Sequence, residues 1–127
     1  MRVIEQVQPY ARKAFVKVKP GLQRLHNPLA SAANKRVSFL TGFPRSGTNM
    51  VIDVFEWSSL TKVFREADPA ANENFQLRED GVIAELVADT SARFVMVKAL
   101  LDGHRVGGLM NMFPDSCAVW MYRHYDD

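Results

Sequence analysis

Residues 41–49, TGFPRSGTN, follow the short apolar run VSFL and carry the most chemically loaded spacing in the chain. Gly42 and Gly47 enclose Phe43, Pro44, Arg45 and Ser46, and the second glycine opens a segment of helical pattern. A loop of this kind turns successive backbone N–H groups inward while the helix amino end adds partial positive charge, so an oxyanion is its natural guest. A nucleoside triphosphate loop would continue with a lysine for the outer phosphates and a hydroxyl for magnesium. Thr48 and Asn49 stand at those two positions, and the fixed cation is Arg45, which can grip a terminal oxyanion bidentately. The loop therefore suits a phosphate or sulfate group held without a tightly bound metal.

Hydrophobic periodicity supplies the elements that must position this loop. VSFLT (37–41) reads as a short strand, and GTNMVIDVFEWSS after the loop reads as a helix with Met50, Val51, Val54, Phe55 and Trp57 on its apolar face. TKVFRE (61–66) is a second strand and ADPAANEN a turn-rich loop, in which Asp68 before Pro69 reads as a turn. Val82, Ile83, Leu86 and Val87 recur at helical spacing, and RFVMVKAL (93–100) is a third strand apolar enough to be buried on both faces. DGHRVGGLMNMF reads as a glycine-loosened helix or loop before a fourth strand, SCAVWMYR (116–123). Met96, Met110, Met112 and Met121 alternate with apolar residues as core positions. Strands alternating with helices predict a three-layer α/β/α sandwich around a parallel sheet, P-loop NTPase-like and cut short after the fourth strand. Ligands of such sheets collect at the strands' carboxyl ends, which directs attention to Thr41–Asn49, Arg65 and Glu66, Lys98–Asp102 and Arg123–Asp127.

Composition narrows the remaining classes. At 127 residues and 47% hydrophobic content the chain is the size of one domain with a real core. A lone cysteine, Cys117, permits neither an internal disulfide nor a thiolate metal cluster. No apolar stretch approaches the roughly 20 residues that span a bilayer, and the opening MRVIEQVQPYARKAF lacks a signal's apolar core, so a cytoplasmic protein is expected. Residues 1–36 form a basic leader and linker, with eight Lys or Arg against Glu5 alone. Such a leader suits peripheral contact with an acidic surface. Pro9, Pro20 and Pro28 break it into short helical pieces that pack on the domain, so it reads as a solvated lead-in, and no nucleic-acid role is expected.

GFPRSGTN is similar to the 5′-phosphosulfate loop, commonly G-x-P-[RK]-S-G-T, of sulfotransferases that use 3′-phosphoadenosine 5′-phosphosulfate (PAPS). Pro44, Arg45, Ser46, Gly47 and Thr48 all match in order. The resemblance runs from residue 37 to 127, which would be the N-terminal part of such a domain. The family's second signature is a strand-end arginine, then an aspartate and a serine. AVWMYRHYDD looks like that strand, with Arg123 in the arginine's place and Asp127 in the aspartate's, while His124 and Tyr125 replace the frequent Asn and Pro. The resemblance implies that Arg123 and the serine hold the donor's 3′-phosphate, and the sequence stops before that serine.

On this resemblance the chain is a PAPS-dependent sulfotransferase that needs no metal and moves a sulfuryl group to a hydroxyl or amine of a small-molecule or glycan acceptor. Pro44–Asn49 and Arg123 are the expected PAPS-binding set, with Arg45, Thr48 and the N–H groups of 45–48 on the leaving phosphate and Asn49 as an added donor. Lys98 matches the lysine of the family's K-x-H segment, but Leu100 stands where the histidine base would be. A second branch of the family uses a strand-end glutamate, so Glu66 is the expected base and His104, on the loop after the third strand, the runner-up. An ordinary strand-end carboxylate paired with Arg65 or Lys62 is the plain alternative for Glu66. Two other functions compete: a P-loop nucleotide kinase or hydrolase, and a noncatalytic fragment that binds nucleotide weakly. Because the chain stops inside the second signature, a fragment or truncated product, unstable or inactive in isolation, is expected; acceptor and oligomeric state are open.

Overall fold

A computed structural model of the chain describes residues 2–26 and 35–124, with side chains from residue 9 onward. The linker at 27–34, including Pro28, and residues 125–127, including Tyr125 and Asp127 of the second signature, lie outside the described residues.

After helix α1 (Arg2–His26) the chain runs β1 (Arg36–Gly42), α2 (Thr48–Glu56), β2 (Thr61–Phe64), β3 (Asn72–Glu73), β4 (Gln76–Leu77), α3 (Asp80–Asp89), β5 (Phe94–Lys98), α4 (Val106–Met112) and β6 (Cys117–Met121). Four strands form a parallel sheet in the order β2-β5-β1-β6, flanked by helices as the alternating pattern predicts. Registers place Leu40 beside Lys98 and Val119, and Phe64 beside Val97, so alternate side chains of neighbouring strands point to the same face.

The two faces carry separate cores. Val37, Phe39, Phe64, Val95 and Val97 pack with Ile83 and Val87 of α3 and Val106 and Leu109 of α4. Leu40, Val63 and Met96 pack with Ile52 of α2. Residues 95–98 are buried throughout, as a central strand covered on both faces requires. The chain therefore leaves the carboxyl ends of adjacent β1 and β5 towards opposite faces, and the crevice between those ends is the topological switch point where α/β sheets hold ligands.

Several expectations are corrected. The leader is one helix of 25 residues with Pro9 and Pro20 inside it, rather than short pieces. Each proline removes one helical hydrogen bond, but the helix is pinned against α2 and its carboxyl end. The ring of Phe15 stacks on Trp57 with centroids 5.5 Å apart, Arg12 bonds Asp53, and Lys19 Nζ donates to the Glu56 carbonyl at 2.8 Å. Lys35 Nζ donates to the carbonyls of Val87 and Ala88 at 2.7 and 2.6 Å, closing the carboxyl end of α3. The leader's charge is thus partly spent inside the fold, at Lys19 and Lys35, while Lys13, Lys17 and Arg24 stay exposed.

Helix α2 also departs from its expected apolar face. Its buried residues are Thr48, Ile52 and Glu56, whereas Met50, Val54, Phe55 and Trp57 are exposed. A four-residue repeat through Glu56 reads as polar until Arg65 neutralises it. Of the core methionines, Met96 is buried and Met110 and Met121 pack at core edges, but Met112 is exposed. The turn-rich loop after β2 contains a small antiparallel hairpin, β3–β4, whose two central residues, Asn74 and Phe75, both have positive φ as a type I′ turn demands.

Candidate functional site

The loop between β1 and α2 is shaped by two left-handed glycines and one left-handed arginine. Gly42 has φ 145° and lies so close to β6 that a Cβ would stand 2.1 Å from the Met121 carbonyl oxygen, so no other residue fits. Arg45 has φ 62°, and Gly47, the N-cap of α2, has φ 93°. Alternation of this kind aims consecutive N–H groups into one concavity. Ser46 Oγ donates to the Phe43 carbonyl at 2.7 Å and its N–H reaches the same oxygen, so the serine closes the turn. Gly47 offers no side-chain cap to α2, and no acidic residue occupies the first turn. The first N–H groups of the helix therefore keep their partial positive charge for a guest.

Across the crevice, Lys98 ends β5 with its side chain 2% exposed. Its Nζ donates to Asn49 Oδ1 at 2.7 Å and to Glu66 Oε1 at 3.0 Å. An ammonium has only donors, so the amide oxygen of Asn49 must face Lys98 and its NH2 must face away. Thr41 Oγ1 donates to the Ala99 carbonyl at 3.0 Å and ties the ends of β1 and β5 together beneath this group.

Glu66 pairs with Lys98 while its neighbour Arg65 takes other partners. Arg65 sends its guanidinium to Glu56, bidentately at 2.8 and 2.7 Å, and to Asp53. The hydrogen bond to Glu56 holds the Arg65 pKa above its ordinary value, with Asp53 adding to it against the opposing effect of burial. Arg12 of α1 joins the same two carboxylates. Pairing of Glu66 with Arg65 or Lys62 is therefore replaced by pairing with Lys98.

A cleft of about 750 Å³ opens between loop residues Phe43–Ser46 and Tyr122, Arg123 and His124 beyond β6. Arg45 and Arg123, 78 positions apart by number, thus line one cleft. His104 lies exposed on the 3-10 turn Gly103–Arg105 and takes part in no hydrogen bond or ion pair among the described residues. The structure brings together Lys98, Glu66 and Asn49, and it leaves His104 outside that group.

Sequence reading missed two supports. Asp102 Oδ2 accepts from the Leu77 N–H at 2.8 Å, and Arg105 donates to the carbonyls of Leu77 and Arg78 at 2.8 Å and to Asp80 at 2.6 Å. Together they lock the β3–β4 hairpin and the start of α3 to the loop after β5. The one sequence signal for this was that Asp102 falls in the strand-exit stretch Lys98–Asp102. Among the described residues no group of three or more His, Cys, Asp or Glu is arranged to hold a metal ion, and no helix is long and apolar enough to cross a membrane. No protein-family model, curated protein or solved structure matches the chain.

Proposed function

We propose that this chain is a sulfotransferase domain that moves a sulfuryl group from PAPS to a hydroxyl or amine acceptor. The observation that carries the reading is the meeting, at one switch-point crevice, of an uncapped G-F-P-R-S-G loop of positive-φ residues with a buried lysine bonded to a carboxylate in the turn after β2.

Each part has a role in that chemistry. The N–H groups of 45–48 with Arg45 and Thr48 take the donor's 5′-phosphate, and Arg123, on the same cleft, takes its 3′-phosphate. Glu66 accepts the acceptor's proton as its oxygen or nitrogen attacks sulfur in line. The bond between sulfur and the bridging phosphate oxygen breaks, and adenosine 3′,5′-bisphosphate leaves with the electron pair. Charge grows on the departing phosphate, where oriented donors in a water-poor crevice stabilise it most.

The decisive experiment is calorimetric titration with adenosine 3′,5′-bisphosphate and, separately, with ATP and magnesium. Binding of the bisphosphate without metal is expected, and binding of magnesium ATP alone would overturn the reading in favour of a nucleotide kinase or hydrolase.

A further inference from the structure

We infer that Glu66 and the anion held by the loop compete for the ammonium of Lys98, so that donor binding releases Glu66 for proton transfer. The inference rests on the reading of the loop as an anion site and adds an order of events to it. Lys98 is the only ammonium bonded both to the first turn of α2 and to the strand-end carboxylate among the described residues. Its three protons meet two acceptors, Asn49 Oδ1 and Glu66 Oε1, which leaves one donor uncommitted.

Burial makes this sharing consequential. With its side chain 2% exposed, Lys98 has little water to satisfy a third proton or to screen its charge. Asn49 follows Thr48 in the first turn of α2, so the bond to its side chain holds the ammonium beside the helix end that the loop's guest would occupy. A di-anionic phosphate there attracts the ammonium more strongly than a single carboxylate that is itself a quarter exposed.

The charged neighbours do not offer Glu66 a substitute. Arg65 is committed to Glu56 and Asp53, and Arg12 to the same pair. When Lys98 turns to the loop, Glu66 keeps its negative charge and loses its hydrogen-bond donor, the state a base needs before it meets an acceptor proton. Before the donor arrives, the same ion pair occupies the carboxylate. Donor-first binding follows from this exchange.

The test is a double-mutant cycle read by binding of adenosine 3′,5′-bisphosphate. Glu66→Gln is expected to tighten binding about five- to tenfold in the otherwise unaltered chain, because only a neutral amide oxygen then contests Lys98, and by less than twofold when Lys98 is already Met. An equal gain in both backgrounds overturns the competition while leaving the loop's anion site standing. Absence of bisphosphate binding in both the unaltered chain and Glu66→Gln overturns the anion site itself, and the competition with it. A second measurement needs no substitution: the Glu66 carboxyl carbon resonance should move as bisphosphate saturates the chain. A signal that stays in place at saturation also overturns the exchange.

Discussion

Lys98 Nζ lies 3.0 Å from Glu66 Oε1, although the two residues are 32 positions apart, one at the end of β5 and the other in the turn two residues past β2. The contact is possible because β2 and β5 are neighbours in parallel register, and Arg65 is committed to Glu56 and Asp53.

Glu66→Gln keeps the shape and a hydrogen-bond acceptor for Lys98 but cannot take a proton. Transfer of labelled sulfuryl from PAPS to a panel of phenols, alkyl alcohols and amino sugars is expected to slow by about 10²- to 10⁴-fold in kcat. Circular dichroism should be unchanged. An unaltered rate would exclude Glu66 as the base.

Arg45→Ala removes the loop's charged side chain while keeping a backbone it can adopt only with strain, since φ there is 62°. Affinity for adenosine 3′,5′-bisphosphate is expected to fall about 10- to 100-fold, the worth of one charge-assisted contact. The loss should shrink at high salt, which titration at two ionic strengths would check.

Gly42→Ala tests the approach of the loop to β6. A methyl 2.1 Å from the Met121 carbonyl must push the strands apart, and φ 145° is foreign to alanine. Destabilisation of about 3 kcal/mol is expected in urea unfolding. A variant as stable as the parent would show that this approach is not a constraint.

Arg65→Met leaves Glu56, buried on α2, without its bidentate partner. A cost of about 3 kcal/mol is expected, against about 1 kcal/mol or less for Arg12→Met at the more exposed end of the cluster. The comparison is read from urea midpoints at equal m-value.

Lys19 gives the fold a pH signature. Burial lowers its pKa to about 8, opposed by the nearby Glu56 charge. Below pH 8 both folded and unfolded chains hold the proton, and the desolvation penalty is fully present. Between about pH 8 and the ordinary lysine value near 10.4 the unfolded chain binds more protons, so stability rises with pH. Relative to Lys19→Met, the unaltered chain should gain on the order of 2 kcal/mol across that window. Parallel pH profiles would refute the shift.

Much of this was legible in the residues. The short apolar runs and the helical spacing of Ile83 and Val87 made the parallel sheet and its helices readable, because strands covered on both faces and helices covered on one impose those patterns locally. The loop was readable because Gly42 and Gly47 stand where its backbone takes positive φ. The continuous helix over Pro9 and Pro20 was not readable, since local propensity opposes it and only distant contacts of Phe15, Arg12 and Lys19 hold it.

The sequence by itself determined the fold class, the loop and the strand-end positions where chemistry could occur, since each depends on neighbouring residues and on the period of the chain. Tertiary structure alone decided that Glu66 belongs to Lys98 rather than Arg65, that Asn49 turns its oxygen to that lysine, and that Arg45 and Arg123 share one cleft. Those pairings depend on strand order and on which of several competing charges lies nearest in space. Linear spacing carries no record of either.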